Sequence, residues 1–271
     1  MKRILLLALL MLLAGVAVAA WLWHELDQHL NRPMAISRME VLEVAPGTNL
    51  RALGMDLQRR GWLPEPVYLE LEARRSKRAG RIKAGEYAVA PGTTPRMLLE
   101  LLVSGRVIQH QLTIIDGWSF RELIQAVSSS PVLRHTLSGA TPARIMAEIG
   151  YAGYLPEGRF LADTYLFPAR TTDVEILRRA FAAMERVLNE EWQARSRDLP
   201  YSGPYQVLIM ASMGEKETAV AEERARIAGV FIRRLQIGMR LQSDPTVIYA
   251  LRESFDGNIR RDDLELNSPF N

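Results

Sequence analysis

The sequence predicts an α+β fold that follows a single N-terminal transmembrane helix. Three features lead to this prediction: an uncharged apolar run at the N-terminus, short alternating segments that each precede a glycine turn, and longer segments with the apolar periodicity of helices. The alternating segments lie in the first half of the chain, and helical periodicity dominates the second half. We therefore expect small α+β modules followed by a mainly helical domain.

The N-terminal run has the length of a membrane span. Residues 4–23 carry no charge, and about 20 apolar residues suffice to cross the core of a bilayer. Lys2 and Arg3 precede the run, so the positive-inside rule places residues 1–3 in the cytoplasm. The bulk of the chain is then expected on the periplasmic side of the cytoplasmic (inner) membrane, held by a single pass.

A cleaved signal peptide is the alternative interpretation of this run. Residues 17–19 read Ala-Val-Ala and resemble a small-residue cleavage site. The apolar run nevertheless continues through Trp21 and Trp23, which suit the aromatic belt at a membrane surface, and this favours a retained anchor. Residues 24–38 are polar and contain Pro33, so they are expected to form a short tether.

A repeated unit occupies residues 39–145. Residues 44–53 are echoed by residues 89–98 and, more weakly, by residues 115–123. Each copy has the order strand, glycine turn, helix, because an alternating segment leads into a glycine and a helical apolar pattern follows. The three strands are expected at residues 39–45, 85–90 and 111–115.

Equivalent helix starts support the repeat. Asn49, Thr94 and Ser119 occupy the same position in the three copies and are residue types that cap helix N-termini. Pro95 fits the first helical position, and the spacing of Ser119 and Glu122 matches a capping box. These units loosely resemble LysM-type modules, which bind N-acetylglucosamine polymers; small packing modules without a ligand are the alternative.

A mainly helical domain is expected over residues 150–271. An aromatic loop rich in turn formers covers residues 155–168, and a helix with one apolar face is predicted over residues 172–192. A further helix is predicted to begin after Pro204. Residues 205–214 within it are almost all apolar, as in a helix buried on most sides.

Two glutamates, Glu215 and Glu217, lie at the end of this apolar helix. Burial among apolar groups disfavours the charged form of a carboxylate, which is the property that a general acid needs. We therefore expect a buried acid that faces a binding cleft, but helical spacing alone does not choose between the two glutamates. The alternative is a solvated helix end at which Lys216 and Arg224 are the ion-pair partners.

Another helix is predicted over residues 223–235, where apolar residues recur at helical spacing before Gly238 ends the pattern. The loop beyond it presents Gln242, Asp244 and Tyr249 beside a proline. Polar groups gathered near an aromatic ring suit a sugar, whose hydroxyls need hydrogen bonds and whose ring face stacks. The alternative is a helix start that Asp244 caps. The buried stripe of the helix is expected at Ile227, Val230, Phe231 and Leu235.

The composition excludes several kinds of site. The chain has no cysteine, which excludes thiol catalysis, disulfides and cysteine zinc sites. Its four histidines all precede residue 136, so residues 136–271 cannot supply a Ser-His-Asp triad or a histidine metal site. We expect no metal and no cofactor, and chemistry that relies on carboxylates and hydroxyls. No Lys/Arg run interleaved with aromatic residues occurs, so nucleic-acid binding has little support.

At several motifs the chain resembles the endolytic murein transglycosylases of the MltG (YceG-like) family. The similarity is strongest in residues 211–218 (Ala-Ser-Met-Gly-Glu-Lys-Glu-Thr) and residues 238–249 (Gly-Met-Arg-Leu-Gln-Ser-Asp-Pro-Thr-Val-Ile-Tyr). It extends over essentially the whole chain, including the N-terminal anchor. Supporting matches are Glu157-Gly158, residues 163–168 and Ser268-Pro269.

The resemblance implies a lytic transglycosylase, a lyase that cleaves peptidoglycan strands between N-acetylmuramic acid and N-acetylglucosamine. One glutamate would protonate the leaving oxygen and then act as base for attack by the muramic 6-hydroxyl, which leaves a 1,6-anhydro end. Its place in the motif is that of Glu217, with Glu215 in a supporting role. The resemblance also implies a lysozyme-like catalytic domain, termination of glycan elongation, and cell-wall synthases as partners.

Some positions depart from the family pattern. Ser243 stands where threonine is usual, and Met213-Gly214 replace a β-branched pair before the motif. Members of the family continue beyond the position of Asn271, so the resemblance implies an incomplete catalytic domain whose C-terminal part is missing.

Two other functions compete with this interpretation. A non-catalytic, membrane-anchored adaptor could bind peptidoglycan through the repeated modules. A lysozyme-like hydrolase could use Asp244 as a second carboxylate and would leave reducing ends instead of anhydro ends.

Overall fold

The computed structural model describes residues 2–251 and 254–267. The chain divides into two units by its internal contacts, whereas the sequence predicts a boundary near residue 150. The third repeat therefore belongs to the second unit. The first unit comprises the residues up to His110 together with Phe167–Ala169, and the second comprises Gln111–Leu166 and the residues from Arg170 onward.

The N-terminal helix α1 (Lys2–Asn31) is continuous over 30 residues. Within it, Leu9–Asn31 is long and apolar enough to cross a membrane, and the side chains from Leu9 to Trp23 are exposed.

The expected tether at residues 24–38 is wrong. Residues 24–31 continue α1, and Leu26 and Leu30 are buried in the first unit. Met34 and Ile36 then enter the core of that unit. The polarity of the segment suggested a tether, but its few apolar side chains recur on one face and pack inward.

The first unit contains a pair of antiparallel strands. β1 (Glu40–Val44) pairs with β2 (Gly85–Val89), with Leu42 opposite Tyr87, and both of these side chains are fully buried. Apolar side chains of the strands and of three helices form one core. The helices are α2 (Leu50–Arg59), α3 (Val67–Arg75) and α4 (Pro95–Ser104), and a single 3₁₀ turn (Ala79–Arg81) follows α3.

The predicted helix starts are confirmed. The side chains of Asn49 and Thr94 accept hydrogen bonds from backbone N–H groups three residues on, at 2.8 and 3.2 Å, and Pro95 is the first residue of α4. Ser119 and Glu122 form the predicted capping box at the start of α5 (Phe120–Ser129). Each cap satisfies backbone N–H groups that a helix leaves unpaired.

The chain beyond α4 is mainly helical, as expected for residues 150–271. Strands β3 (Gln109–Thr113) and β4 (Thr164–Pro168) form a two-stranded sheet, and β3 begins two residues earlier than expected. The helices after α5 are α6 (Pro142–Glu148), α7 (Asp173–Ala194), α8 (Pro204–Glu217), α9 (Ala221–Gln236), α10 (Asp244–Leu251) and α11 (Arg261–Leu264).

Asp173 ties the start of α7 to a preceding loop. It is 2% exposed, and its carboxylate accepts hydrogen bonds from the backbone N–H groups of Thr136, Leu137 and Val174 and from the Thr136 hydroxyl. Burial by itself would raise the pKa of the Asp173 carboxyl, but these hydrogen bonds together outweigh burial and lower the pKa. The predicted apolar face of α7 is buried at Ile176, Leu177, Ala180, Phe181 and Leu188.

Helices α8 and α9 are more exposed than predicted. In α8, Met210 and Met213 are buried, and in α9 only Phe231 of the predicted stripe is buried. The periodicity shows which face of a helix can be buried, but neighbouring elements decide how much of it is covered. Helix α8 contacts α7, α9 and α10, and Met210 and Met213 pack in one cluster with Phe231 of α9. The apolar side chains exposed against expectation are Ile209, Val230 and Leu235.

Candidate active site

Glu217 is the last residue of α8, and its side chain is exposed. The prediction of a buried acid is therefore wrong. The helix ends here because Thr218 adopts extended backbone, with φ −149° and ψ 140°. The carboxylate consequently lies beyond the buried part of the helix, where a large ligand can reach it.

Ser243, the residue before α10, holds this carboxylate. Its hydroxyl donates a hydrogen bond of 2.6 Å to Oε1 of Glu217, and Ser243 is only 3% exposed. The residue directly precedes α10, and its carbonyl accepts hydrogen bonds from the backbone N–H and the hydroxyl of Thr246. Hydrogen bonds to a charged acceptor are stronger than those between neutral groups. A buried, fixed hydroxyl thus orients an exposed carboxylate.

Thr218 secures the turn that follows Glu217. It is buried, its hydroxyl donates to Oε2 of Glu223 at 2.9 Å, and its oxygen accepts the N–H of Val220 at 3.0 Å. These bonds link the end of α8 to the start of α9. The position of Glu217 is therefore constrained on both sides, by Thr218 along the chain and by Ser243 across it.

Glu215 lies in a different environment. It forms an ion pair with Arg224 at 3.4 Å, in which the glutamate side chain is 33% and the arginine side chain 52% exposed. An exposed pair of this kind contributes little stability. For Glu215 and Arg224, the alternative of a solvated helix end is what the structure shows.

The turn between β3 and α5 lies beside the end of α8. A Cβ atom added to Gly117 would lie 3.5 Å from Nζ of Lys216 and 3.7 Å from Cγ of Glu215. The pKa of the Glu122 carboxyl is lowered, first by hydrogen bonds from the hydroxyl and backbone N–H of Ser119 and then by the charge of Lys216. The surroundings of the candidate acid therefore include the start of α5.

Glu157 connects three elements of this unit. Its Oε1 accepts the backbone N–H of Phe120 at 2.8 Å, and its Oε2 accepts the hydroxyl of Tyr249 at 2.7 Å. The carboxylate thus joins the loop before β4, the N-terminus of α5 and the middle of α10, and negative charge is favourable at a helix N-terminus. Tyr249, predicted to bind substrate, is held by this bond.

The other two predicted ligand residues flank Ser243. Gln242 is exposed with φ +53°, and Asp244 is exposed at the first position of α10. Both are adjacent in sequence to the residue that contacts Glu217. Tyr249 lies six residues beyond Ser243, or about 9 Å along a helix axis.

A cavity of about 260 Å³ in the same unit lies elsewhere. It is lined by Tyr154, Arg159 and Tyr205, among others, and by none of the predicted site residues. The candidate acid therefore does not line this cavity. Within residues 2–251 and 254–267, no group of three His, Asp or Glu side chains is placed to hold a metal ion.

Three residues that position the site were not singled out as site residues from the sequence. Ser243 and Thr218 lie inside the recognised motifs, and Glu157 lies in a supporting match. Their position within these family motifs was the sequence signal that could have identified all three as site residues. The roles of Ser243 and Glu157 depend on contacts between distant residues, such as the 92 positions that separate Glu157 from Tyr249, whereas Thr218 bonds to neighbours up to five residues away.

The model of the YceG-like family matches residues 42–271 of the chain. The chain belongs to the YceG-like family. This confirms the resemblance that the motifs around Glu217 and Tyr249 indicated. The part of that resemblance at Ser268-Pro269 lies outside the residues that the structure describes.

Curated relatives of this YceG-like chain carry the name endolytic murein transglycosylase. It is 26% identical over 261 residues to the endolytic murein transglycosylase of Streptococcus pneumoniae (strain D39), a match that covers 84% of this chain and 47% of the relative. It is also 26% identical over 212 residues to the protein of that name in Bacillus subtilis, covering 72% of this chain and 58% of the relative. The chain spans about half the length of these curated relatives.

A solved structure is also similar. The crystal structure of a yceG-like protein from Listeria monocytogenes aligns with 87% of this chain and 81% of that chain, at 21% sequence identity and a TM-score of 0.47.

Proposed function

We propose that this YceG-like chain is a membrane-anchored lytic transglycosylase that cleaves peptidoglycan strands endolytically. One observation carries the proposal: the Glu217 carboxylate is exposed at the end of α8 and oriented by the buried hydroxyl of Ser243. Both residues lie in motifs of a family whose curated relatives are named endolytic murein transglycosylases.

In the proposed reaction Glu217 acts first as acid and then as base. Its proton passes to the glycosidic oxygen, and the bond from that oxygen to C1 of N-acetylmuramic acid breaks. The 6-hydroxyl oxygen of the same muramic residue bonds to C1, and its proton returns to Glu217. No water is consumed, and the product is a 1,6-anhydro end. Because the nucleophile belongs to the substrate, a second protein carboxylate is not needed, unlike in the usual two-carboxylate scheme.

The residues around Glu217 take supporting parts in this proposal. Gln242 and Asp244 flank Ser243 and are exposed, so they are proposed to hydrogen-bond sugar hydroxyls or acetamido groups. Tyr249 is proposed to position α10 through Glu157 and to offer its ring to the glycan. The exposed pair of Glu215 with Arg224 is proposed to support the helix end only.

The wider biological setting is proposed on the same basis. Helix α1 would hold the chain in the inner membrane by a single pass, with the N-terminus in the cytoplasm and the rest in the periplasm. The LysM-like modules of residues 39–145 would bind the glycan, and the lysozyme-like domain of residues 150–271 would cleave it. Cleavage of nascent strands would end glycan elongation, with cell-wall synthases as partners.

The decisive experiment compares two glutamine variants on purified peptidoglycan. Glu217→Gln removes the proposed acid and should reduce the formation of anhydro-muramic products by about 100-fold or more, the usual range for a general acid–base group. Glu215→Gln removes only the exposed pair with Arg224 and should change the rate by less than about 5-fold. Mass spectrometry of the released muropeptides measures both.

The product identity separates the competing functions. Reducing ends in place of anhydro ends would indicate a hydrolase, with Asp244 as the second carboxylate. Binding of insoluble peptidoglycan without any cleavage, unaffected by Glu217→Gln and lost on removal of residues 39–145, would indicate an adaptor. Either result contradicts the transglycosylase proposal.

A further inference from the structure

Residues 74–83 concentrate positive charge. Six of these ten residues are Lys or Arg, and none is acidic. They comprise the end of α3, the 3₁₀ turn and the residues that lead to β2. We call them the basic turn, and its cations are Arg74, Arg75, Lys77, Arg78, Arg81 and Lys83.

Much of this charge is not neutralised within the protein. Lys77 and Arg81 are exposed, and neither side chain forms an ion pair among residues 2–251 and 254–267. Lys83 donates to the carbonyl of Ser104, a neutral acceptor. The other three cations have glutamate partners at distances of 2.7 to 3.9 Å: Arg74 with Glu70, Arg75 with Glu72 and Arg78 with Glu100.

Two side-chain contacts fix how α3 lies against α1. The rings of His29 and Tyr68 stack with centroids 4.0 Å apart, and the guanidinium carbon of Arg75 lies 4.7 Å from the ring centroid of Trp23. The step from His29 back to Trp23 is about 9 Å of helix, and the step from Tyr68 to Arg75 is about 10 Å. Since the two steps match, α3 runs antiparallel alongside α1, and its C-terminal end lies at Trp23.

Trp23 is also the point at which the apolar run of α1 ends. Leu26 and Leu30 beyond it are buried within the first unit and are not available to lipid. The surface of a bilayer crossed by α1 therefore lies near Trp23, as for other interfacial aromatic residues. The basic turn continues beyond Arg75, so it lies at the level of the lipid headgroups.

We propose that the basic turn docks on anionic phospholipid headgroups of the membrane that α1 crosses. The proposal rests on the anchoring role proposed above. Lys and Arg side chains at a bilayer surface are attracted to acidic lipids, and the attraction acts within about one Debye length. Contact at both α1 and the basic turn holds the first unit in a fixed orientation on the membrane, whereas a single helix alone would let it swing.

The absence of cysteine makes a single-label experiment direct. A Cβ atom at Gly80 would meet nothing within 4 Å, so Gly80→Cys places a fluorophore in the basic turn without removing a cation. The labelled full chain is reconstituted in nanodiscs of phosphatidylcholine alone or with about one third phosphatidylglycerol, an anionic lipid. A trace of lipid with a nitroxide on its headgroup quenches any fluorophore that lies at the surface.

We expect quenching at least about 2-fold stronger in the anionic nanodiscs, and we expect high salt to remove the difference. The double variant Lys77→Glu/Arg81→Glu should abolish it. The matched control Arg32→Glu/Arg51→Glu makes the same charge change at exposed positions elsewhere in the first unit and should retain it. Equal quenching in both lipids, or equal loss in both double variants, overturns the proposal.

Flotation with phosphatidylcholine vesicles tests the anchor separately. A chain that does not float with neutral vesicles contradicts the anchor, whereas one that floats but shows no dependence on anionic lipid contradicts only the docking. A label that responds to a soluble anionic polymer but not to anionic lipid also overturns the docking, because the partner is then a polyanion in solution.

Discussion

At the scale of single residues, the hydroxyl of Ser243 determines how the Glu217 carboxylate is held. The bond of 2.6 Å joins a buried donor to an exposed acceptor, so the cost of desolvation falls on the serine and the carboxylate stays accessible. Glu157 plays a comparable part for Tyr249, because its two oxygens join the phenol to the N-terminus of α5.

Replacement of Ser243 should therefore slow the reaction without unfolding the protein. A hydrogen bond to a charged group contributes about 1.5–3 kcal/mol, so we expect Ser243→Ala to form anhydro-muramic ends about 10-fold more slowly or worse. Ser243→Thr keeps the hydroxyl and should retain most of the rate. Muropeptide release over a range of pH, beside the melting temperature, distinguishes lost orientation from lost stability. An alanine variant with the parental rate and pH profile would contradict the role of Ser243 as a positioning residue.

At the scale of secondary-structure elements, helix starts are the features that local sequence predicts best. The caps at Asn49, Thr94 and Ser119 each act within three residues of themselves, so the sequence around them contains all the partners. The exposure of α8 was not predictable in this way. How much of α8 is covered depends on α7, α9 and α10, which contact it in the tertiary structure.

The start of α7 allows a test of stability against pH. The hydrogen bonds to Asp173 lower the pKa of its carboxyl in the folded chain. A lowered folded pKa contributes stability that is present above the unfolded pKa and is lost as the pH falls through the folded value. Asp173→Asn should therefore reduce the free energy of unfolding by about 1–3 kcal/mol near neutral pH, because one of the two acceptor oxygens becomes an NH2 group that faces buried donors.

Urea unfolding at about pH 7 and at about pH 3 measures this effect. The difference in the free energy of unfolding between Asp173→Asn and the wild type should be smaller at the acid pH. Protonation of the wild-type carboxylate there removes the stability that its charged form contributes. The exposed Asp116 in the same unit provides the control, and Asp116→Asn should change the free energy of unfolding by less than about 0.5 kcal/mol at either pH. A deficit for Asp173→Asn that is the same at both pH values would contradict the argument.

At the scale of the whole molecule, the proposed membrane anchor would decide where the chain works. Helix α1 passes without interruption from the apolar run into the first unit, where Leu26 and Leu30 are buried. In the proposed arrangement the continuous helix would keep this unit near the membrane surface, and contact at the basic turn would set its orientation there. The antiparallel packing of α3 against α1 brings the basic turn to the level of Trp23.

Removal of residues 2–23 should release the protein from membranes. We expect the full chain to remain in the membrane fraction after an alkaline wash, and the shortened chain to be recovered in the supernatant, because the uncharged run is the proposed membrane span. Intact-mass measurement of the full chain tests the signal-peptide alternative. A mature chain that begins after Ala19 and appears in the supernatant would show that the run is cleaved.

The sequence by itself determined the features whose partners are close along the chain or are set by composition. These are the uncharged run, the capped helix starts and the motif that places Glu217 in the YceG-like family. Only the tertiary structure decided that Glu217 is exposed, that Ser243, 26 positions away, orients it, and that Arg75 lies over Trp23. Burial and contacts between distant residues depend on how helices pack, and apolar periodicity specifies a face of a helix but not its neighbour.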